Sequence, residues 1–184
     1  DMIHSEVAVT ANADATALLL QILDAKTQAL AESLGLVSGD GDDTLTSRGP
    51  LAVTSVAGGA YAGALVFDTG DRDGEDRKID ISLNTEAGST AIDAGDGDDT
   101  VNNDGILAAN ATAISGGTVD QLTAEAQGAV SLTSKSSAKA ETTGIATGDG
   151  DDQINSTNTI TSIATATSAT LGMSLAAGEN AEGD

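Results

Sequence analysis

The heptapeptide at Gly39–Leu45 reads GDGDDTL. It recurs as GDGDDTV at Gly95–Val101 and as GDGDDQI at Gly148–Ile154. Each copy sets three aspartates and two glycines in its first five residues and then runs into a leucine or a β-branched residue. Carboxylates this close repel one another unless a cation sits among them, and an all-oxygen ligand set suits a hard ion such as Ca²⁺. Glycines allow the positive φ angles of a tight turn whose carbonyls aim at the same ion. The candidate calcium site therefore comprises Gly39, Asp40, Gly41, Asp42 and Asp43; Gly95, Asp96, Gly97, Asp98 and Asp99; and Gly148, Asp149, Gly150, Asp151 and Asp152.

The distances from Gly39 to Gly95 and from Gly95 to Gly148 are similar, and a period of this size points to stacked repeats. Asp1-Met2-Ile3 aligns with Asp43-Thr44-Leu45, so the first unit is expected to begin inside a repeat. The units are approximately 1–37, 38–93, 94–146 and 147–184, forming one continuous body over 1–184 and a segment of a longer array.

Period-two alternation is the secondary-structure signal. From Leu122 to Ala140 the even positions are apolar or small and the odd positions mostly polar, one buried face and one wet face. Leu132, Ser134, Ser136, Ala138 and Ala140 align with Ile79, Ile81, Leu83, Thr85 and Ala87, and these with Leu23, Ala25, Thr27, Ala29 and Ala31. A second alternating stretch gives Ala11/Ala13/Ala15/Ala17, Ala109/Ala111/Ala113 and Ala164/Ala166/Ser168, which predicts thin, closely stacked sheets. The expected fold is all-β: a parallel β-solenoid, β-helix- or β-roll-like, of about four coils, with the calcium-binding turns stacked along one edge. Unit length varies in the middle, which predicts a corner insertion that in the second unit includes Phe67–Lys78. Leu19–Leu36 also carries a helical pattern, with Leu19, Ile22, Leu23, Leu30 and Leu34 on one face; alignment with Ile79 and Leu132 favours strand. The loop Asp71–Asp76 (DRDGED) fails as an EF-hand, since its first ligand position would be Thr69, and reads as a solvated loop more than as an additional weak calcium site.

Asp and Glu number 29 against 7 Lys and Arg, a net charge of −22 that argues against nucleic acid and anionic membranes as partners. Cysteine is absent, so disulfides do not staple the fold. No stretch reaches the ~18–20 apolar residues of a membrane-spanning helix. The only histidine, His4, has no nucleophile pair around it, and Tyr61 and Phe67 are the only two aromatic rings, too few for the platforms of a sugar-cleaving groove. The expectation is a protein that is not an enzyme. The threonines of Thr157–Thr170 alternate with alanine as a solenoid exterior does, more than as a flat ice-binding array.

With one preceding residue, each heptapeptide fits the nonapeptide G-G-x-G-x-D-x-U-x, where U is large and apolar, over Ser38–Thr46, Ala94–Asn102 and Thr147–Asn155. This resembles the RTX (repeats-in-toxin, haemolysin-type) calcium-binding repeat. All three copies depart at the first position, where Ser38, Ala94 and Thr147 replace glycine. The resemblance covers these windows alone. It implies that the sixth-position aspartates, Asp43, Asp99 and Asp152, supply carboxylate oxygens and that carbonyls of Gly39–Asp42, Gly95–Asp98 and Gly148–Asp151 supply most of the rest. RTX nonapeptides run in tandem, whereas here one occurs per long coil. The functional expectation is a calcium-stabilised structural or adhesive repeat segment of a secreted or cell-surface bacterial protein, self-associating or stacking end to end on further repeats, with calcium ions as ligand. The alternative is a noncatalytic β-helical module of an extracellular carbohydrate-active enzyme.

Overall fold

The computed structural model describes residues 5–16, 24–62, 77–124 and 130–177. They form ten strands: β1 (Ser5–Thr16), β2 (Asp24–Val37), β3 (Thr44–Ser47), β4 (Leu51–Ala62), β5 (Arg77–Asp93), β6 (Thr100–Asn103), β7 (Leu107–Ala124), β8 (Val130–Ala146), β9 (Gln153–Ser156) and β10 (Ile160–Ala177). No helix occurs among the described residues. Leu30 and Leu34 lie in β2, so the helical pattern there yields to strand from Asp24 onward; Leu19–Leu23 lie outside the described residues.

All pairings are parallel. One broad sheet has the order β1-β4-β7-β10, a second broad sheet β2-β5-β8, and a narrow sheet of four-residue strands β3-β6-β9. The chain therefore visits narrow, first broad and second broad sheet in turn and then returns one strand further along each, an arrangement consistent with the expected parallel β-solenoid. The sequence alignment of the second broad sheet is its pairing: Ala25, Thr27, Ala29 and Ala31 stand beside Ile81, Leu83, Thr85 and Ala87. These in turn stand beside Ser134, Ser136, Ala138 and Ala140. In the first broad sheet Ala11 stands beside Ala57, Ala57 beside Ala113 and Ala113 beside Ala166.

Small side chains at the inward positions let the two broad sheets come close. Ala31, Ala57, Ala87, Ala111 and Ala113 form one buried cluster between them. Ser55 donates across the gap to the carbonyl of Ala31 (2.8 Å), and Ser89 to that of Val53 (3.1 Å). Buried hydroxyls need such partners, and only sheets this near put a carbonyl of one within reach of a serine of the other. Where the three sheets meet, larger residues fill the wider space: Leu51, Val53, Ile92, Val101 and Leu107 pack together with Ala91, Ala94 and Ala109.

Alternation slips once per coil. In the second broad sheet the pairing runs from Leu34↔Thr90 to Leu36↔Ile92 and from Thr90↔Thr143 to Ile92↔Ile145, skipping Gly35, Ala91 and Gly144. Ala91 and Ile92 are consecutive and both buried, and inward positions continue with Ala94. A Cβ on Gly35 would run into the carbonyl oxygen of Ala91. This aligned bulge re-aims the strand into the turn that follows. The segments of varying length, 17–23, 63–76 and 125–129, all connect the first broad sheet to the second and lie outside the described residues. The expected insertion at Phe67–Lys78 is shorter than its bounds, since Arg77 and Lys78 already pair with Val130 and Ser131 as strand.

Candidate metal centre

The three acidic motifs form the corner between the second broad sheet and the narrow sheet. Each enters from β2, β5 or β8 and leaves into β3, β6 or β9. Both glycines of every turn have positive φ, from 67° at Gly148 to 149° at Gly150. The need is steric as well as torsional. A Cβ on Gly95 would land on the carbonyl oxygen of Gly39, and one on Gly148 on that of Gly95, so the turns sit directly over one another. Backbone bonds lock the stack: Gly41 N–H donates to Asp96 O (2.7 Å) and Gly97 N–H to Asp149 O (2.8 Å).

The aspartates divide into two ladders of opposite polarity. The sixth-position residues reach backward: Asp99 Oδ1 accepts the N–H of Asp43 (2.8 Å), and Asp152 Oδ1 that of Asp99 (3.0 Å). The outer aspartates reach forward. Asp42 Oδ1 accepts from Asp98 N–H (3.0 Å), Asp98 Oδ1 from Asp151 N–H (2.9 Å) and Asp96 Oδ1 from Asp149 N–H (3.0 Å). Asp40, Asp42, Asp96, Asp98, Asp149 and Asp151 are exposed; Asp43 and Asp152, at the two ends of the stack, are half-buried.

Asp99 stands apart. It is 1% exposed, and its Oδ2 is buried without a hydrogen-bond partner. An ionised carboxylate withdrawn from water costs several kcal/mol unless its oxygens are satisfied. A hard cation would supply what this oxygen lacks. The donors that the stacked turns offer are oxygens only: the carboxylates of Asp43, Asp99 and Asp152 and the backbone carbonyls of the motifs. Among the described residues no three or more His, Cys, Asp or Glu side chains converge as a metal cluster. A cation here would thus draw on backbone carbonyls beside Asp99, and the residues present fit that role. Asp71–Asp76 and His4 lie outside the described residues.

Sequence reading missed a second corner, residues 48–50, 104–106 and 157–159, between the narrow and first broad sheets. Its key residue is Asn103, fully buried, which donates to Ser156 Oγ (3.0 Å) and accepts the N–H of Gly105 (3.3 Å). The signal was present in the chain. Gly49 and Gly105 follow Gly39 and Gly95 at the same distance, and a Cβ on Gly105 would meet the carbonyl of Gly49.

Comparison with protein families, with curated proteins and with solved structures found no match for this chain.

Proposed function

We propose that this chain is a calcium-stabilised structural or adhesive repeat segment of a secreted or cell-surface bacterial protein, not an enzyme. In this reading it is a solenoid of about four coils with ions held along the edge formed by the acidic turns. The observation that carries the proposal is the buried Asp99 with its unpartnered Oδ2 at the centre of three stacked aspartate turns. The charge of −22 supports it, because like charges stacked at strand spacing, ~4.8 Å, oppose compaction until a counter-ion joins them. A core built largely of alanine and serine supports it too, because such residues bury little apolar area at ~25 cal/mol per Å².

Calcium that binds the folded form alone adds stability with concentration. With affinity on the order of 10⁻⁴–10⁻³ M, as in extracellular modules, 10 mM calcium contributes about 1.4–2.7 kcal/mol per ion. End-to-end stacking belongs to the same proposal. On β9 and β10, Ile154 and Ile160 are exposed, whereas Val101 and Leu107 at the same register are fully buried, so a further coil laid on these strands would cover them. The test is calcium titration followed by circular dichroism and calorimetry. The β signal should grow and saturate in the millimolar range; the same full signal in excess chelator, with no heat of binding, would refute the proposal.

A further inference from the structure

The outward side of the first broad sheet is unlike the rest of the surface. Every second residue of β4 from Ala52 to Ala60, of β7 from Ala108 to Thr118 and of β10 from Thr161 to Leu171 faces outward, and none is Asp, Glu, Lys or Arg. In a chain of net charge −22 this is a pronounced segregation. The outward side of the second broad sheet, in contrast, carries Glu32, Glu86, Lys135, Lys139 and Glu141. Acidic residues enter the register of the uncharged face in β1, where Glu6 stands beside Ala52 and Asp14 beside Ala60, and at the far end of β7, where Asp120 stands beside Met173.

The face is apolar and uneven. Ile114 is 49% and Leu171 60% exposed, and Ile163 also projects from it. Between Ile114 and Leu171 lies a shallow hollow of about 530 Å³, lined by Ala60, Gly116, Gly117 and Ala169. Projecting aliphatic side chains beside a glycine hollow suit a protein surface that supplies a matching projection. They do not suit a flat regular lattice, and the threonines of β4, β7 and β10 form no continuous row.

We infer that this face pairs with the same face of a second copy of the chain, side by side about a two-fold axis, with Ile114 or Leu171 of each copy seated in the hollow of the other. Charge selects the occupant. Two copies this acidic repel through the edge that carries the aspartate turns, and the narrow sheet sets that edge back from this face, with Asp104 the one described carboxylate at the near corner. The four residues of a narrow strand span about 13 Å, beyond the ~8 Å over which charge acts at physiological salt. Area permits it: stretches of nine, eleven and eleven residues cover about 500 Å² per copy, about 1,000 Å² in all, which reaches the ~1,000 Å² that a specific interface needs. The pairing is lateral and closes at two copies, unlike end-to-end stacking, which is open-ended.

Sedimentation equilibrium of the whole chain in saturating calcium tests this. A monomer–dimer equilibrium that strengthens with added NaCl is expected. Ile114→Glu should raise the dimer dissociation constant by about a hundredfold, as loss of a central anchor does. Ser137→Glu, which adds the same charge on the opposite broad sheet, should leave the dimer intact. Leu171→Ser gives a second, gentler test, with about a tenfold weakening expected. Calcium affinity should be unchanged in all three variants, which separates this inference from the calcium proposal. A monomer at all concentrations, growing polymers insensitive to Ile114→Glu, or a monomer that depresses the freezing point through this face would each overturn the pairing.

Discussion

Replacing Gly95 by alanine, and Gly39 by alanine in parallel, isolates how much the stacking of the acidic turns contributes. The two glycines hold the same place in successive motifs and both have positive φ, 84° and 103°. Alanine in that region costs about 1–2 kcal/mol at either site. At Gly39 nothing lies within 4 Å of the new Cβ, so that strain is the whole cost. At Gly95 the Cβ meets the backbone carbonyl of Gly39, which no side-chain rotation relieves. The turns must part, and the bonds from Gly41 N–H to Asp96 O and from Asp43 N–H to Asp99 Oδ1 part with them. Losing these exposed and part-buried bonds costs about 1–2 kcal/mol each, so Gly95→Ala should total about 3–6 kcal/mol. For a chain of this length each kcal/mol lowers Tm by about 2–4 °C. Thermal melts at fixed calcium should show a loss of about 2–8 °C for Gly39→Ala and about 6–24 °C for Gly95→Ala. Equal losses would mean that the turns do not bear on one another and that the stacked geometry is wrong.

Three further outcomes are expected. Asp99→Ala should weaken calcium binding and cost about 1.5–3 kcal/mol through the lost bond to Asp43 N–H, while exposed Asp96→Ala should cost about 1 kcal/mol or less. Titration calorimetry and urea melts compare them, and equal effects would show the ligand assignment to be wrong. Leu107→Ala should cost about 2–5 kcal/mol and Ile160→Ala about 1 or less, since the first is 0% and the second 41% exposed at the same register. Equal costs in dilute solution would mean that the last coil is covered. In chelator, raising NaCl from ~0.1 to ~1 M should raise the melting temperature by several degrees, because it shortens the screening length from ~10 to ~3 Å across aspartates stacked ~4.8 Å apart. A flat response would remove charge repulsion as a reason for the proposed calcium stabilisation.

The register of the second broad sheet was legible in the chain because alternation and the motif spacing reinforce each other. Aligning Ala25, Ile81 and Ser134 required only counting back from each GDGDD turn. Close approach of the broad sheets was legible from alanines at equivalent places. The slip at Gly35, Ala91 and Gly144 was not, because one skipped residue per coil leaves the composition unchanged and shows only as a change of phase. The corner at Asn103 was obscured for another reason. Ser47 and Ser156 donate to the carbonyl two residues on, whereas Asn103 between them accepts the N–H at that place, so the middle rung breaks the repeated letter. At the candidate site the resemblance named Asp99 together with Asp43 and Asp152. The burial of Asp99, and the opposed polarity of the two aspartate ladders, depend on which side of the turn each carboxylate leaves, which spacing does not encode.

The uneven connections between the two broad sheets have a consequence for how such a protein tolerates change. From Thr16 to Asp24, from Ala62 to Asp80 and from Thr118 to Thr133 the chain covers the same step between register positions with different numbers of residues. Pairing on both sides is undisturbed. The opposite corner has no such latitude, because its turns are in van der Waals contact along the whole axis. One edge is therefore fixed by stereochemistry, while pairing around the other tolerates connections of unequal length. Insertions, epitopes or foreign peptides placed within 17–23, 63–76 or 125–129 should leave the paired strands on either side in register.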